Sequence, residues 1–270
     1  MKIGLVQMRC EKGAFDANLA TTARYLDAAT SLGVDILVFP ETSLTGYVKP
    51  AQYPDMVLHL DGPEVARLLD LTRGRSTTAL VGILEANPRG KPFITQLVVR
   101  DGELLGTYRK MTQGEEESGK IEDWHVVGDT VSVFAFNDVT FGIAICADSG
   151  NEYVFAECAR QGARIVFEVA APGLFGEQAS RNWESGFNWW KDDCQTLLGH
   201  YAQTYNIWIA VTTQAGRTSD EDFPGGGYLF APDGRRVFAT QDWLVGAVYL
   251  DLDLDTWLVT PLSKCAEGDK

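Results

Sequence analysis

The chain has 270 residues, 45% apolar and 22% charged, an ordinary balance for a globular protein with room for a sizeable core. Its formal net charge of −14 would repel nucleic-acid phosphates and anionic membrane surfaces, and no Lys/Arg cluster offsets that field, so neither is an expected partner. No run approaches the ~20 apolar residues of a membrane span, no basic n-region opens the chain, and the five cysteines hold no close Cys-x-x-Cys pair; a cytoplasmic chain with free thiols is expected, without a disulfide framework or structural zinc.

Lys2 to Met8 reads as a strand, and Asp16 as the N-cap of a helix with Leu19, Ala23, Leu26 and Ala29 or Thr30 on one face and Gly33 as its stop. The apolar run Asp35-Ile-Leu-Val-Phe-Pro then delivers Glu41. Asp61-Gly-Pro-Glu64 predicts a capped helix ending near Gly74, and strands are expected at about 78–85 and 93–100. Asp101-Gly102 is a strong hairpin signal, and the second arm of that hairpin delivers Lys110. The stretch 111–129 is polar and acid-rich, a loop.

A strand at 139–145 ends at Cys146, followed by a helix from Asn151 to about Gln161, a strand from Arg164 to Val169, and a helix from roughly Trp189 to Tyr205. A strand from Asn206 to Thr213 precedes a Pro232-Asp233-Gly234 hairpin between strands near 227–231 and 235–240. A strand near Val245 to Leu252 is expected to join the second sheet, and the tail from Asp253 shows no periodicity. The order β-α-β-α-β-hairpin occurs twice. Two such halves packed through their bare sheet faces make an α/β fold, a four-layer α-β-β-α sandwich, with one domain over 1–252 and a tail over 253–270.

Glu41, Lys110 and Cys146 each stand just past the end of a strand-like run, where a rigid support offers them to a site. A thiol with an ordinary pKa of about 8.5 needs a base or a nearby cation to become a nucleophile, and a carboxylate with an ammonium supplies both. The oxyanion formed when a thiolate attacks a carbonyl gains roughly 3 to 4 kcal/mol per well-placed donor, for which Lys110 and the Ala147 N–H are candidates. A helix N-terminus near Asn151 is expected to lower the thiol pKa further. Taken singly, a cysteine ending a strand is more often a core residue, and a lone Glu or Lys a solvated one.

Three ordered motifs carry more weight than the single residues. Phe39-Pro-Glu-Thr-Ser-Leu-Thr-Gly-Tyr47, Asp101-Gly-Glu-Leu-Leu-Gly-Thr-Tyr-Arg-Lys110 and Gly142-Ile-Ala-Ile-Cys-Ala-Asp148 resemble the nitrilase superfamily of carbon–nitrogen hydrolases, a likeness running from Lys2 to Asp251. The resemblance implies a Glu-Lys-Cys triad with Glu41 as base, Lys110 as oxyanion stabiliser and Cys146 as nucleophile. It also implies a small-molecule amide substrate, no metal or organic cofactor, and a homodimer or larger homo-oligomer. A second active-site glutamate is expected among Glu115, Glu116, Glu117 and Glu122, with Glu122 preferred because Glu-Asp-Trp-His-Val-Val-Gly-Asp129 resembles the family's stretch. Tyr47 and Trp183 are expected to bind substrate, Trp183 within a crowd of Phe187, Trp189 and Trp190 of a kind that is more often a core or subunit-interface cluster than a pocket wall.

Ala147-Asp148 follows the cysteine where nitrilases resemble one another in Trp-Glu, which favours amides over nitriles. No arginine lies in 147–153, which weakens an N-carbamoyl hydrolase reading, with Arg181 and Arg217 left as possible carboxylate clamps. Gln214 and Tyr228 stand where the family usually has asparagine and serine. Rival readings are a Cys-His hydrolase using His125, which reads as a surface residue, acyl transfer to an amine, and a sandwich retained as an inactive scaffold.

Overall fold

The computed structural model describes residues 1–115, 120–172, 190–192, 194–219 and 221–266. Its centre is a pair of sheets. The first holds β1 (Lys2–Gln7), β2 (Ile36–Val38), β3 (Val57–Leu58), β4 (Thr78–Asn87), β5 (Gly90–Arg100) and β6 (Glu103–Arg109). The second is built from β7 (Val133–Phe136), β8 (Val139–Ile145), β9 (Ile165–Ala170), β10 (Trp208–Thr213), β13 (Tyr228–Phe230) and β14 (Arg236–Ala239), in the order β14-β13-β10-β9-β8-β7. A separate hairpin pairs β11 (Ala215–Arg217) with β12 (Asp222–Pro224).

Alternation along the strands decides what each face covers. Ile3, Leu5, Ile36, Val38, Leu80, Ile94 and Val98 share one apolar cluster with Ile143, Val169 and Ala210 of the second sheet. Their neighbours Val6, Leu37, Ala79, Val81 and Leu97 turn the other way, onto α1 (Phe15–Ser31) and α2 (Pro63–Thr72). On the far side, α3 (Glu152–Arg160) and α4 (Gly199–Tyr205) cover the second sheet, with the Phe155 and Tyr201 rings stacked at 4.8 Å. The result is the four-layer α-β-β-α arrangement.

The last strands depart from expectation. β15 (Gly246–Leu252) lies in the first sheet, antiparallel to β1 with Lys2 opposite Asp251, and not in the second. β1 has an open edge because β2 lies on its other side, and β15 fills it. Beyond it, β16 (Val259–Ala266) adds an outer strand where no periodicity announced one. The helix starts also differ. Asp16 lies inside the first turn after Ala14, Gly62 with Pro63 opens α2 instead of Asp61, and Asn151 precedes α3 without a side-chain cap. The Asn151 side chain instead donates to Thr112 Oγ1 at 2.9 Å. The expected 189–205 helix is described from Trp190, with a π-helical turn at Cys194–Leu198 before α4.

Candidate active site

One end of the sandwich gathers the carboxyl ends of β2, β6, β8, β9 and β10, where α/β sheets commonly place ligands. Glu41 lies three residues past β2, on a loop sewn to the neighbouring strands. Gln96 Nε2 donates to the Phe39 carbonyl at 2.9 Å, the Gly82 N–H donates to Ser43 Oγ at 3.0 Å, and the Leu44 N–H donates to the Gly82 carbonyl at 3.0 Å. The loop comes so close that a Cβ at Gly82 would lie 2.3 Å from the Thr42 nitrogen, so only glycine fits there.

Lys110 follows β6 directly and is pinned on both sides: its N–H donates to Ile94 O at 2.9 Å and its carbonyl accepts from the Gly128 N–H at 2.7 Å. Its Nζ donates to Glu41 Oε1 at 2.8 Å, and the two side chains are 1% and 0% exposed. The other carboxylate oxygen, Oε2, accepts from the Ala171 N–H at 2.9 Å, just past β9. Gln214, just past β10, donates from Nε2 to the Glu41 carbonyl at 2.8 Å and to Thr42 Oγ1 at 3.1 Å. Burial, the largest single influence, opposes the Lys110 ammonium, but the charge and hydrogen bond of Glu41 together with Cys146 and Glu122 outweigh it and hold the lysine pKa above its ordinary value.

Cys146 directly follows β8 and begins a tight turn, Cys146–Gly150, with a φ of +50°. A side chain in that left-handed region costs of order 1–3 kcal/mol and needs surrounding structure to hold it. Asp148 supplies the support: its Oδ2 accepts from the Ile145 N–H at 2.9 Å and the Tyr108 hydroxyl at 2.8 Å, and its Oδ1 accepts from the Met111 N–H at 3.0 Å. Cys146 keeps part of its surface open, whereas Cys10 and Cys158 are fully buried. Ala147 is half-buried on the same turn, its N–H one residue beyond the sulfur.

The thiol does not behave as the residue pattern suggested. Burial pushes the Cys146 pKa up, the Glu41 charge pushes it further, and Lys110 and the Ala171 N–H pull back without prevailing. The helix expected to help begins only at Glu152, six residues after Cys146 in the chain. The resting sulfur is therefore a thiol, with a carboxylate and an ammonium both acting on it.

Glu122 is 7% exposed, and its Oε2 accepts from the Tyr47 hydroxyl at 2.6 Å and lies 3.7 Å from His125 Nε2. Burial works against its charge, but the contacts to His125 and Tyr47 and the field of Lys110 hold its pKa below the ordinary value. Glu115 is exposed and paired in a small bridge with Ile121, while Glu116 and Glu117 lie outside the described residues. His125 is wholly buried against Trp124 at 4.7 Å, not on the surface, because the acidic loop folds inward at that point. Tyr47 and Glu122 line a cavity of about 300 Å³ with Lys12, Lys49, Tyr53 and Glu221.

Trp183, Arg181, Phe187 and Trp189 lie outside the described residues, and Trp190 is buried in the core. Arg217 is engaged with Asp222 at 3.4 Å across the β11–β12 hairpin. Among the described residues no group of three His, Cys, Asp or Glu side chains is placed to hold a metal ion, and no helix is long and apolar enough to cross a membrane. Sequence reading passed over Asp148, Ala171 and Glu168. The signal for Asp148 was its place two residues after Cys146, and for Glu168 a carboxylate inside the apolar run Ile165-Val-Phe-Glu-Val-Ala170.

Comparison with known proteins places the chain in a family. The family model described as carbon-nitrogen hydrolase matches residues 2–261. The chain is 25% identical to a glutamine-dependent NAD(+) synthetase of Thermotoga maritima over 94% of its own length but 42% of the synthetase. It is 27% identical to an (R)-stereoselective amidase of Pseudomonas sp., over 94% of this chain and 86% of the amidase. Among solved structures, an amidase of the nitrilase superfamily from Nesterenkonia AN1 superimposes with a TM-score of 0.74 at 22% identity, covering 95% of this chain and 91% of that one.

Proposed function

Given that the chain belongs to the carbon-nitrogen hydrolase family, we propose that it hydrolyses the C–N bond of a small linear amide through a thioester on Cys146. The observation that carries the reading is the fully buried contact of Lys110 Nζ with Glu41 Oε1 at 2.8 Å, with Cys146 in the field of both. Because burial and Glu41 keep the sulfur protonated at rest, attack requires a base at the moment of reaction, and Glu41 is the group that takes the proton. Cys146 Sγ bonds to the amide carbon while Lys110 and the Ala147 N–H stabilise the developing oxyanion. Protonated Glu41 then gives its proton to the departing nitrogen, which leaves as ammonia or an amine. Water, deprotonated by Glu41, attacks the thioester, and the C–S bond breaks to release the carboxylic acid.

Glu122 completes the site in this reading. Its charge, held by Tyr47, helps keep Lys110 an ammonium. A relative supports a cysteine nucleophile: a mutant of an amidase from Nesterenkonia shows the result of Michael addition of acrylamide at its active-site cysteine. With Arg217 tied to Asp222, an N-carbamoyl amino acid would find no free arginine clamp in that hairpin, which favours plain amides. A homodimer or larger homo-oligomer is part of the proposal, read out by light scattering. Cys146→Ala, assayed for ammonia release across short aliphatic amides, ω-amides, N-carbamoyl compounds and nitriles, tests the function. Loss of all release is expected, and retained activity refutes the proposal.

A further inference from the structure

Base and nucleophile come from different sheets. Cys146 directly follows β8 of the second sheet, whereas Glu41 stands on the loop after β2 of the first. The hydrophobic effect that joins the two sheet faces is non-directional, so the placement of the base against the thiol depends on directed contacts that cross between the sheets. Contacts of this kind reach Glu41 at both of its ends. The Ala171 N–H, just past β9, donates to Oε2 at 2.9 Å and holds the tip of the carboxylate. Gln214, just past β10, holds the root: its Nε2 donates to the Glu41 carbonyl at 2.8 Å and to Thr42 Oγ1 at 3.1 Å.

Gln214 is itself a fixed support. It is 0% exposed, its N–H donates to the Ala170 carbonyl at 2.9 Å, and its carbonyl accepts from the Gly225 N–H at 3.0 Å. The first of these bonds ties Gln214 to the residue before Ala171, so both contacts to Glu41 come from one rigid unit. The direction of the amide follows from its partners. The Thr42 hydroxyl donates to the Glu41 carbonyl at 2.9 Å, so toward Gln214 its oxygen accepts, and a carbonyl can only accept. Both partners therefore demand a donor, and the NH2 of Gln214 supplies one hydrogen to each. Oε1 has no hydrogen-bond partner among the described residues. What the side chain holds is strained: Thr42 has a φ of +49°, a left-handed conformation that a β-branched residue rarely enters and that persists only where the surroundings over-determine it.

We propose that Gln214 is the positioning residue for the base: its amide NH2 holds the Glu41 carbonyl and the left-handed Thr42, and so sets the Glu41 carboxylate against Cys146 from the opposite sheet. This rests on the reading of Glu41 as base and Cys146 as nucleophile, and adds to it the group that keeps the two in register. Gln214 acts through Glu41 and not on the substrate, so its loss should appear in the rate and leave substrate affinity alone. A displacement of about 1 Å at a reacting group is enough to cost about 10²-fold.

Gln214→Met keeps the length of the side chain and removes both donors, while the Glu41 carbonyl retains its bond from Thr42. On the amides that the wild type hydrolyses, it should lower kcat by about 30–100-fold with KM within about twofold. Its crystal structure should show Thr42 out of the left-handed region, or Glu41 Oε2 beyond about 3.5 Å from the Ala171 nitrogen. Gln214→Glu keeps the shape but turns acceptors toward acceptors, and should lower kcat at least as far. If either variant does not fold, Gln214→Asn, whose amide stops one methylene short, takes its place and should lose about tenfold or more in kcat. Wild-type kcat in any of these variants, a raised KM with kcat kept, or a Gln214→Met structure with Thr42 and Glu41 unmoved would overturn the proposal. The structural readout needs no substrate, so it is decided independently of the hydrolysis that Cys146→Ala tests.

Discussion

Replacing Lys110 by methionine isolates the buried pair. The two charges sit 2.8 Å apart with 1% and 0% of their side chains exposed, and at an effective dielectric of about 20 their attraction is about 6 kcal/mol. Much of that is offset by the desolvation both groups undergo on folding, so the pair is not worth the full figure. Removing the lysine alone, however, leaves Glu41 buried with the Ala171 N–H as its charge-facing donor. We expect a loss of about 3–5 kcal/mol in urea unfolding together with a fall in kcat of about 10²–10³. Glu41→Gln combined with Lys110→Met removes both charges and should cost less than the two single variants added, by at least about 2 kcal/mol. Additivity within about 0.5 kcal/mol would show that the carboxylate and ammonium do not depend on each other, and the electrostatic account of the site would fail.

Four further outcomes are expected. Under native conditions peptide mapping should find iodoacetamide on Cys146 and not on Cys10 or Cys158, with a rate that climbs about tenfold per pH unit from about pH 6 to 8, because the raised thiol pKa leaves no neutral-pH plateau. Glu122 carries a lowered pKa, so the stability it contributes is complete above the ordinary carboxylate value of 4.5 and is lost as pH falls through the lower folded value. Glu122→Gln should accordingly flatten the acid limb of a stability–pH curve below about pH 4.5. Tyr47→Phe deletes the 2.6 Å contact to that carboxylate and should move the same limb toward higher pH, measured by thermal unfolding across the acid range. Gly82→Ala puts a methyl group 2.3 Å from Thr42 N and 2.7 Å from Pro40 O, and should lower both Tm and kcat, at a cost of about 1–3 kcal/mol.

Much of the site was legible because strand ends are legible. Apolar runs bounded by Glu41, Lys110 and Cys146 revealed three positions at one end of the strands, and the hairpin at Asp101-Gly102 fixed which arm carried the lysine. What escaped depends on partners that a local pattern does not encode. The 246–252 run has the alternation of any buried strand, and nothing within it says that its neighbour is β1. His125 reads as polar and therefore outward, yet the loop folds it against Trp124 and Glu122. The direction of the Cys146 pKa was misjudged for the same reason: residue types suggested cations nearby, while burial and the Glu41 charge decide the sign.

The pairing of Lys2–Gln7 with Gly246–Leu252 also bears on how the molecule comes into being on a ribosome. The strand that supports the glutamate loop is flanked by β1, and β1 waits with one bare edge until residues 246–252 have emerged. Loop closure over that span is slow, so the nascent amino-terminal half should linger with an unpaired edge and a need for chaperones that a sequentially completed sheet would not have.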